Sequence, residues 1–483
     1  MRALRYAVRP RPVLKYVGQL CFVLALLTFV PLIVALLAGD VGVSWRYAMV
    51  ITAVLALGLG LTRLPAPKQL QTNEAIVITA LMFLLTPLVM TWPTMAAGLD
   101  FLDALFETIS AVTTTGLSVT ATVAGKAPAF LFARAWMQWI GGLGIVVLSL
   151  ATLIQPGLAA KRLGDHEDYE DDLAGGTRAR ARLVFIVYAV LTAVGILVLG
   201  ILGTGWFEAV LYTFAAVSTG GFAPHDASLG GLPGFPAQAA VILLSVAGGV
   251  SLLLYQRAFR QGARVLARDR QLQGYLIFGG LVTLTLSATL FFEGHMHWLQ
   301  ALQHGFLNGL SAQSTAGFSS LSLAELEPGS KLVIMGSMFL GGSLGSTAGG
   351  IKILRLLIVL RLLQLLIQRA GMPRNVVAAT RLGGRRLESD EIQNALCLIL
   401  LFILFAAASW LPFVLLGSDP FDALFEVVSA IGTVGLSAGV AGPELHPLLK
   451  IVLCVDMLLG RLEIMAWLIL LAPGTWFGKR MEA

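Results

Sequence analysis

Apolar residues along this chain come in long runs separated by short polar segments. A helix needs about 20 residues to cross roughly 30 Å of hydrocarbon, and about ten runs approach or exceed that length. They cover approximately 14–38, 45–64, 75–95, 130–154, 183–203, 237–256, 274–292, 331–367, 392–416 and 447–472. Between some of them lie shorter apolar segments. Phe101–Ser110 and Phe421–Ser429 are the clearest pair, with Asp103 aligned on Asp422 and Glu107 on Glu426, while Trp206–Ala215 and Trp298–Ser311 each begin at a tryptophan. At about 1.5 Å per residue such a helix reaches about halfway through the hydrocarbon, so it must turn back with its polar end protected inside protein.

Each half-length segment runs into the same tripeptide pattern, Thr-x-Gly, at Thr114–Gly116, Thr219–Gly221, Thr315–Gly317 and Thr433–Gly435. The repeating unit is therefore span, half-helix, Thr-x-Gly loop, span, recurring at a spacing on the order of 100 residues. Its copies are 75–154, 183–260, 273–367 and 390–472, and residues 1–68 stand outside as an N-terminal two-helix accessory hairpin. The predicted fold is an all-α polytopic membrane protein, with four parallel span/pore-loop/span repeats around a central pore. A single Thr-x-Gly is an ordinary turn or a small-residue helix contact, but neither has reason to recur at one place in every unit. Four loops at membrane depth point to one ring of backbone carbonyls, which can replace the hydration shell of a K+ ion. Glycine permits positive φ and close approach. The half-helices would also turn their partially negative C-terminal ends toward the ion. The expected filter is Thr114, Thr115, Gly116, Thr219, Gly220, Gly221, Thr315, Ala316, Gly317, Thr433, Val434 and Gly435.

Composition supports a membrane protein: 57% of residues are hydrophobic, 12% are charged and mean hydropathy is +0.83. The net charge of +6 does not indicate nucleic acid, because the basic residues fall in alternate loops. These are Arg2 to Lys15, Arg63 and Lys68, Lys161 to Arg182, Arg257 to Arg270, Arg369 to Arg386, and Lys479 with Arg480. The positive-inside rule makes those loops and both termini cytoplasmic, and it orients all four repeats alike. Acidic residues on the other side, Asp40, Asp100, Asp226, Glu325, Glu327, Asp419 and Glu444, would concentrate cations at the outer mouth or simply solvate the loops. Cys21, Cys397 and Cys454 lie in apolar spans and read as core hydrophobes. Val13 to Ala38 is too long for a signal-peptide core and is retained as a span. His295, His297 and His304 read as an interfacial cluster beside Trp298 rather than a metal site. No nucleophile elbow, Cys/His dyad or His-Glu-x-x-His pattern marks an enzyme, and no cofactor is expected besides K+ as the transported ion.

The glycine-rich run Gly341-Gly342-Ser343-Leu344-Gly345-Ser346-Thr347-Ala348-Gly349-Gly350 interrupts a segment too long for one straight span. Its backbone must line water or protein. It lacks the Lys-Ser/Thr ending of a phosphate-binding loop, since Ile351 precedes Lys352 and Ile353 follows. Lys352 and Arg461 are ionisable groups within predicted spans, which makes them functional candidates. Lys352 could equally snorkel to the interface. Arg461 either faces the permeation path or pairs with Asp456 or Glu463.

Taken with Trp139-Ile-Gly-Gly-Leu-Gly-Ile145, Gly341–Lys352 and Leu459-Gly-Arg-Leu-Glu-Ile464, the four loops give the chain a resemblance to the membrane subunits of Trk-type bacterial potassium uptake systems, within the Trk/Ktr/HKT superfamily. The N-terminal hairpin favours the Trk branch. Gly248-Gly-Val-Ser251 departs from the family pattern, which places an Asn-Phe pair after the glycines. The resemblance implies K+ selectivity from glycine at all four filter positions and a gate formed by 341–350 with Lys352. It implies a pore-tuning role for Arg461, a homodimer, and a cytoplasmic nucleotide-binding regulatory subunit of Rossmann type, for which 257–272 and 361–388 are candidate docking loops. The expected setting is the bacterial inner membrane. The leading expectation is channel-like K+ uptake; a Na+- or H+-coupled K+ symporter is the alternative, and an intramembrane enzyme has no nucleophile to support it.

Overall fold

The computed structural model describes residues 7–65, 70–153, 177–371, 381–382 and 385–477. Arg2, Arg5, Lys68, Lys161, Arg162, Lys479 and Arg480 lie outside them. Helices α1 (Pro10–Leu37) and α2 (Val41–Thr62) form an antiparallel hairpin, turned at Gly39 and capped by the Asp40 carboxylate, which accepts from the Val43 amide at 3.1 Å. Glycines bring the two backbones together: a Cβ on Gly18 would lie 2.6 Å from the Leu61 Cβ, and one on Gly58 would lie 3.0 Å from the Gly18 carbonyl oxygen. This is small-residue packing, which serves helices that lipid does not drive together.

The rest of the chain follows the order span, short helix, loop, span. First come α3 (Thr72–Thr94), α4 (Phe101–Val112) and α5 (Pro128–Leu153), then α6 (Thr177–Ile201), α7 (Trp206–Val217) and α8 (Phe235–Gly248). Helices α9 (Leu252–Gln261) and α10 (Arg264–Arg268) lead to α11 (Arg270–Phe292), α12 (Trp298–Gln313), α13 (Pro328–Met338) and α14 (Ile353–Ala370). The last set is α15 (Ser389–Leu415), α16 (Pro420–Ile431), α17 (Pro447–Arg461) and α18 (Glu463–Leu471). Strand structure among the described residues is confined to two-residue pairs, one of them the parallel ladder β1 (Leu340–Gly341) on β2 (Ile351–Lys352). The architecture is all-α, as the hydropathy pattern indicated.

Among the described residues, seven helices are long and apolar enough to cross a membrane, and α8 with α9 makes an eighth if that bent pair is one span. Three of the apolar runs are therefore broken rather than straight. The run 237–256 turns by 88° between α8 and α9, 331–367 is interrupted from Phe339 to Lys352, and 447–472 breaks at Leu462. Glycine and serine at the first two breaks forfeit helix propensity. Freed backbone groups find partners inside the protein. The Ser343 amide donates to the Gly249 carbonyl at 2.9 Å, and the Trp467 indole donates to the Leu458 carbonyl at 2.6 Å near the third break.

The four short helices are buried along most of their length, whereas the long outer helices expose leucine, isoleucine and phenylalanine. Helix α5 is the exception among the spans, with 72% of its apolar window inside the protein against 17–39% for the others. Helices α4, α12 and α16 start from side-chain caps, the carboxylates of Asp100 and Asp419 and the His297 ring, each accepting a first-turn amide.

Overpacking the hairpin tests its glycine contact. Gly18→Val should destabilise the protein by about 1–3 kcal/mol, read as a lower melting temperature in detergent, while Gly60→Val, where a side chain would meet open space, should leave it unchanged.

Candidate functional site

The C-terminal ends of α4, α7, α12 and α16 have one backbone geometry. In each, the threonine of Thr-x-Gly is left-handed, with φ of 52° at Thr114, 54° at Thr219, 55° at Thr315 and 49° at Thr433. Its amide donates to the carbonyl three residues back, and the next amide reaches five back: Thr115 to Ser110 at 2.9 Å, Gly220 to Ala215 at 2.7 Å, Ala316 to Ser311 at 2.9 Å and Val434 to Ser429 at 2.9 Å. Glycine normally occupies such a helix-ending position. A β-branched residue there is strained by about 1–3 kcal/mol, and strain of that kind gathers at functional sites.

The glycines that follow are also left-handed, with φ of 86° at Gly116, 81° at Gly221, 76° at Gly317 and 88° at Gly435. A Cβ on Gly116 would overlap the Gly220 carbonyl oxygen, one on Gly221 that of Ala316, one on Gly317 that of Val434, and one on Gly435 that of Thr115. The contacts close into a cycle, first segment to second, third, fourth and back to first. All twelve Thr-x-Gly residues singled out in the sequence thus meet around one axis. The hydroxyls of Thr114 and Thr433 are buried without a protein partner, whereas Thr219 donates to the Ser218 carbonyl at 2.7 Å.

A second ring of side chains holds these segments from behind. Glu107, Tyr212, Asn308 and Glu426 each sit nine positions before a glycine of the cycle (107 and 116, 212 and 221, 308 and 317, 426 and 435). Glu107 accepts from the Ser118 hydroxyl at 2.5 Å and the Val119 amide at 2.9 Å; Glu426 does the same with the Ser437 hydroxyl at 2.5 Å and the Val440 amide at 3.1 Å. Asn308 accepts from the Ser320 amide at 3.0 Å, and the Tyr212 hydroxyl donates to the Ser228 carbonyl at 2.7 Å. By residue type only the two glutamates align; for Tyr212 and Asn308 the signal in the sequence is the constant spacing to the glycine. Glu107 is also paired with Arg134 at 3.0 Å, and that guanidinium lies 3.7 Å from the centre of the Phe222 ring in the second segment. Gln138, likewise missed, brackets the second segment by donating to the Gly220 carbonyl and accepting from the Phe222 amide.

The segment 341–350 lies directly against the cycle. The Gly349 amide donates to the Thr315 hydroxyl at 2.8 Å, and a Cβ on Gly349 would overlap the Thr433 hydroxyl. Thr347 donates its hydroxyl to the Val217 carbonyl at 3.0 Å and the Gly248 carbonyl at 2.9 Å. Gly341 and Gly342 lie beside the Gly349 and Gly249 carbonyls, Gly345 and Gly350 are left-handed, and Ser343, Ser346 and Thr347 are buried. Pairing of β1 with β2 closes the neck of the loop.

Lys352 is buried and donates to the Ala348 carbonyl inside the loop, so it does not snorkel. Arg461 is 3% exposed, and its guanidinium donates to the Thr347 carbonyl at 2.7 Å and the Gly141 carbonyl at 3.3 Å. It thus bridges the loop to α5. Asp456 instead accepts from the Ser409 hydroxyl at 2.6 Å, and the Glu463 side chain lies outside the described ones. His304 bonds Ser320 at 2.9 Å, and no group of three metal-ligating side chains occurs among the described residues. In the loop after the second Thr-x-Gly segment, burial pushes the Asp226 carboxyl up, but the Thr122 hydroxyl and the Val123 and Ala124 amides outweigh it and hold the carboxyl below its usual range.

Apolar spans around four converging re-entrant segments define a multi-pass membrane protein with a buried axial site. Residues 47–476 match the family profile TrkH, described as cation transport protein, and the chain belongs to that family. It is 30% identical over 501 residues to the Trk system potassium uptake protein TrkH of Halomonas elongata, covering 96% of this chain and 99% of that one. It is 27% identical over 487 residues to the protein of the same name in Escherichia coli K12, covering 96% and 99%. The crystal structure of the potassium transporter TrkH from Vibrio parahaemolyticus has the same fold, with a TM-score of 0.87 at 24% identity over 97% of this chain and 100% of that one.

Removing one partner of a buried ion pair leaves an uncompensated charge. Arg134→Met should therefore destabilise the protein by about 3–5 kcal/mol, and the double variant Arg134→Met with Glu107→Gln should recover much of it, both read from thermal unfolding in detergent.

Proposed function

We propose that the chain is a channel-like K+ uptake protein in which Thr114–Gly116, Thr219–Gly221, Thr315–Gly317 and Thr433–Gly435 form one selectivity filter. The observation that carries this reading is the closed cycle of glycines, each against the next segment's carbonyl oxygen. Backbone that leaves helical bonding in a water-poor interior must find other partners, and a dehydrated cation is the partner such carbonyls fit. The short helices end at the site, so their partial negative charge favours a cation. Potassium uptake is the activity named for the Halomonas and Escherichia relatives. Units 75–154, 183–260, 273–367 and 390–472 each contribute one filter strand, and 1–68 is the accessory hairpin.

The loop 341–350, with Lys352 bonded into it and Arg461 holding it to α5, is the gate in its closed position beneath the filter. A cytoplasmic nucleotide-binding subunit opens it, the chain acts as a homodimer, and it sits in the bacterial inner membrane with both termini cytoplasmic. Inward flow follows from a negative-inside potential, worth about 2.3 kcal/mol per charge per 100 mV.

In liposomes, Gly116→Ser should lower K+ relative to Na+ permeation several-fold, because the added side chain displaces the Gly220 carbonyl; unchanged ion flux ratios would refute the filter. A reversal potential that follows K+ alone rejects coupling to Na+ or H+. Deleting Ser343–Thr347, or replacing Arg461 by Gln and losing a charged hydrogen bond worth about 1.5–3 kcal/mol, should raise K+ flux measured without the regulatory subunit. Flux that stays low in both variants would move the gate elsewhere.

A further inference from the structure

Helix α9 leaves α8 at 88°, so it runs across the end of a membrane span rather than along it. Its first turn is anchored: Leu252 and Leu254 are buried, and Leu254 packs in a cluster with Val250, Tyr275 and Ile353. Its far end presents Phe259, which is 94% exposed, beside exposed Arg260; Arg264 and Arg268 of α10 are exposed as well. From Leu252 to Gln273 the single acidic residue is Asp269, and its carboxylate caps α11 by accepting from the Leu272 amide at 2.8 Å. An amphipathic basic helix continuous with the end of a span lies at the depth of the lipid headgroups. Its aromatic side chain can then enter the acyl boundary while arginines meet phosphates. An exposed phenylalanine among arginines, on a helix that leaves an apolar one, favours a lipid surface over a soluble partner.

The same segment grips the loop 341–350 at both of its ends. The bend that starts α9 holds it through Ser343 amide to Gly249 carbonyl at 2.9 Å and Thr347 amide to Gly248 carbonyl at 3.1 Å, and the Leu252 amide donates to the Gly345 carbonyl at 3.3 Å. At the start of α11, Gln271 accepts from the Leu344 amide at 3.1 Å. A pull on α9 and α10 therefore reaches the loop without passing through another element.

We propose that residues 252–271 form a binding surface for anionic phospholipid, and that lipid bound there draws the bend away from the loop and raises ion flux. The second half of this statement rests on the reading of 341–350 as a gate; the first half does not. The full-length protein is compared with two variants in which Arg257, Arg260, Arg264 and Arg268 are all replaced by Gln or all by Lys. Native mass spectrometry counts retained phosphatidylglycerol, and K+ flux is measured in liposomes of phosphatidylcholine with and without phosphatidylglycerol.

Wild type and the Lys variant should retain the anionic lipid and conduct several-fold faster in its presence. The Gln variant should lose both properties, with retention weakened on the order of fivefold per charge removed. Equal retention by wild type and the Gln variant would overturn the binding surface, as would a soluble protein competing where lipid is not retained. Retention that differs while flux ignores the lipid would overturn the coupling. In the Ser343–Thr347 deletion, flux should be high and indifferent to phosphatidylglycerol; low flux there with the retention difference intact would defeat the gate reading and leave the lipid surface standing.

Discussion

Everything near the axis depends on four glycine α-carbons lying against four carbonyl oxygens in a closed cycle. No residue with a Cβ fits that approach, and the preceding threonine must be left-handed to deliver the chain there. The strain this stores is held by packing that other glycines permit. On the second span of three units, Gly141, Gly248 and Gly460 let the last carbonyls of the short helices, those of Val112, Val217 and Ile431, approach to backbone distance. Glu107, Tyr212, Asn308 and Glu426 then tie the outgoing chain to the helix that delivered it. Short helix, tripeptide and outgoing loop are consequently bonded to one another in each unit.

The four units share this frame and differ in what surrounds it. Asp103 and Asp422, aligned in sequence, are each clamped by a lysine from another element, Lys450 at 2.5 Å and Lys331 at 2.7 Å. At the corresponding places of the other two units stand Glu208, which meets His225 at 3.2 Å, and His304, bonded to Ser320. The third unit departs furthest. Its short helix ends in Gln313 instead of an aliphatic residue, and its second span is interrupted by the loop that contacts Thr315, Val217 and Gly248. Symmetry at the ring and asymmetry beside it are both consequences of backbone that has left the helix. The four turns close on the same backbone bonds, whereas a ten-residue excursion takes its partners from whichever units face it.

Arg461 illustrates how far a charge can be read from its position alone. In sequence its acidic neighbours are Asp456 and Glu463, which leaves an ion pair open beside the permeation path. In the fold the guanidinium takes two carbonyls from other elements, 114 and 320 residues away along the chain, and Asp456 faces Ser409. Helix geometry alone separates residues 461 and 456, since positions five apart do not share a face. Lys352 is likewise open in the sequence between a functional role and snorkelling, and the β1–β2 pairing that turns it toward Ala348 is not a local property.

Hydropathy by itself determined the fold class, the approximate extent of the spans and the four half-length helices, because hydrocarbon imposes a length and an apolar composition on every element that meets it. Repetition of Thr-x-Gly also marked which residues belong together, since the pattern sits at the same place in each unit. Only the tertiary structure decided that these tripeptides close into a ring, that Tyr212 and Asn308 bond the outgoing chain as the glutamates do, and that three apolar runs are broken. The bend at Gly249 takes its partner, the Ser343 amide, from a distant part of the chain, and the break at Leu462 is spanned by the Trp467 indole of the helix that follows. Composition records what the solvent requires of each segment; the pairing of carbonyls with donors that the solvent cannot provide is settled by the folded neighbours.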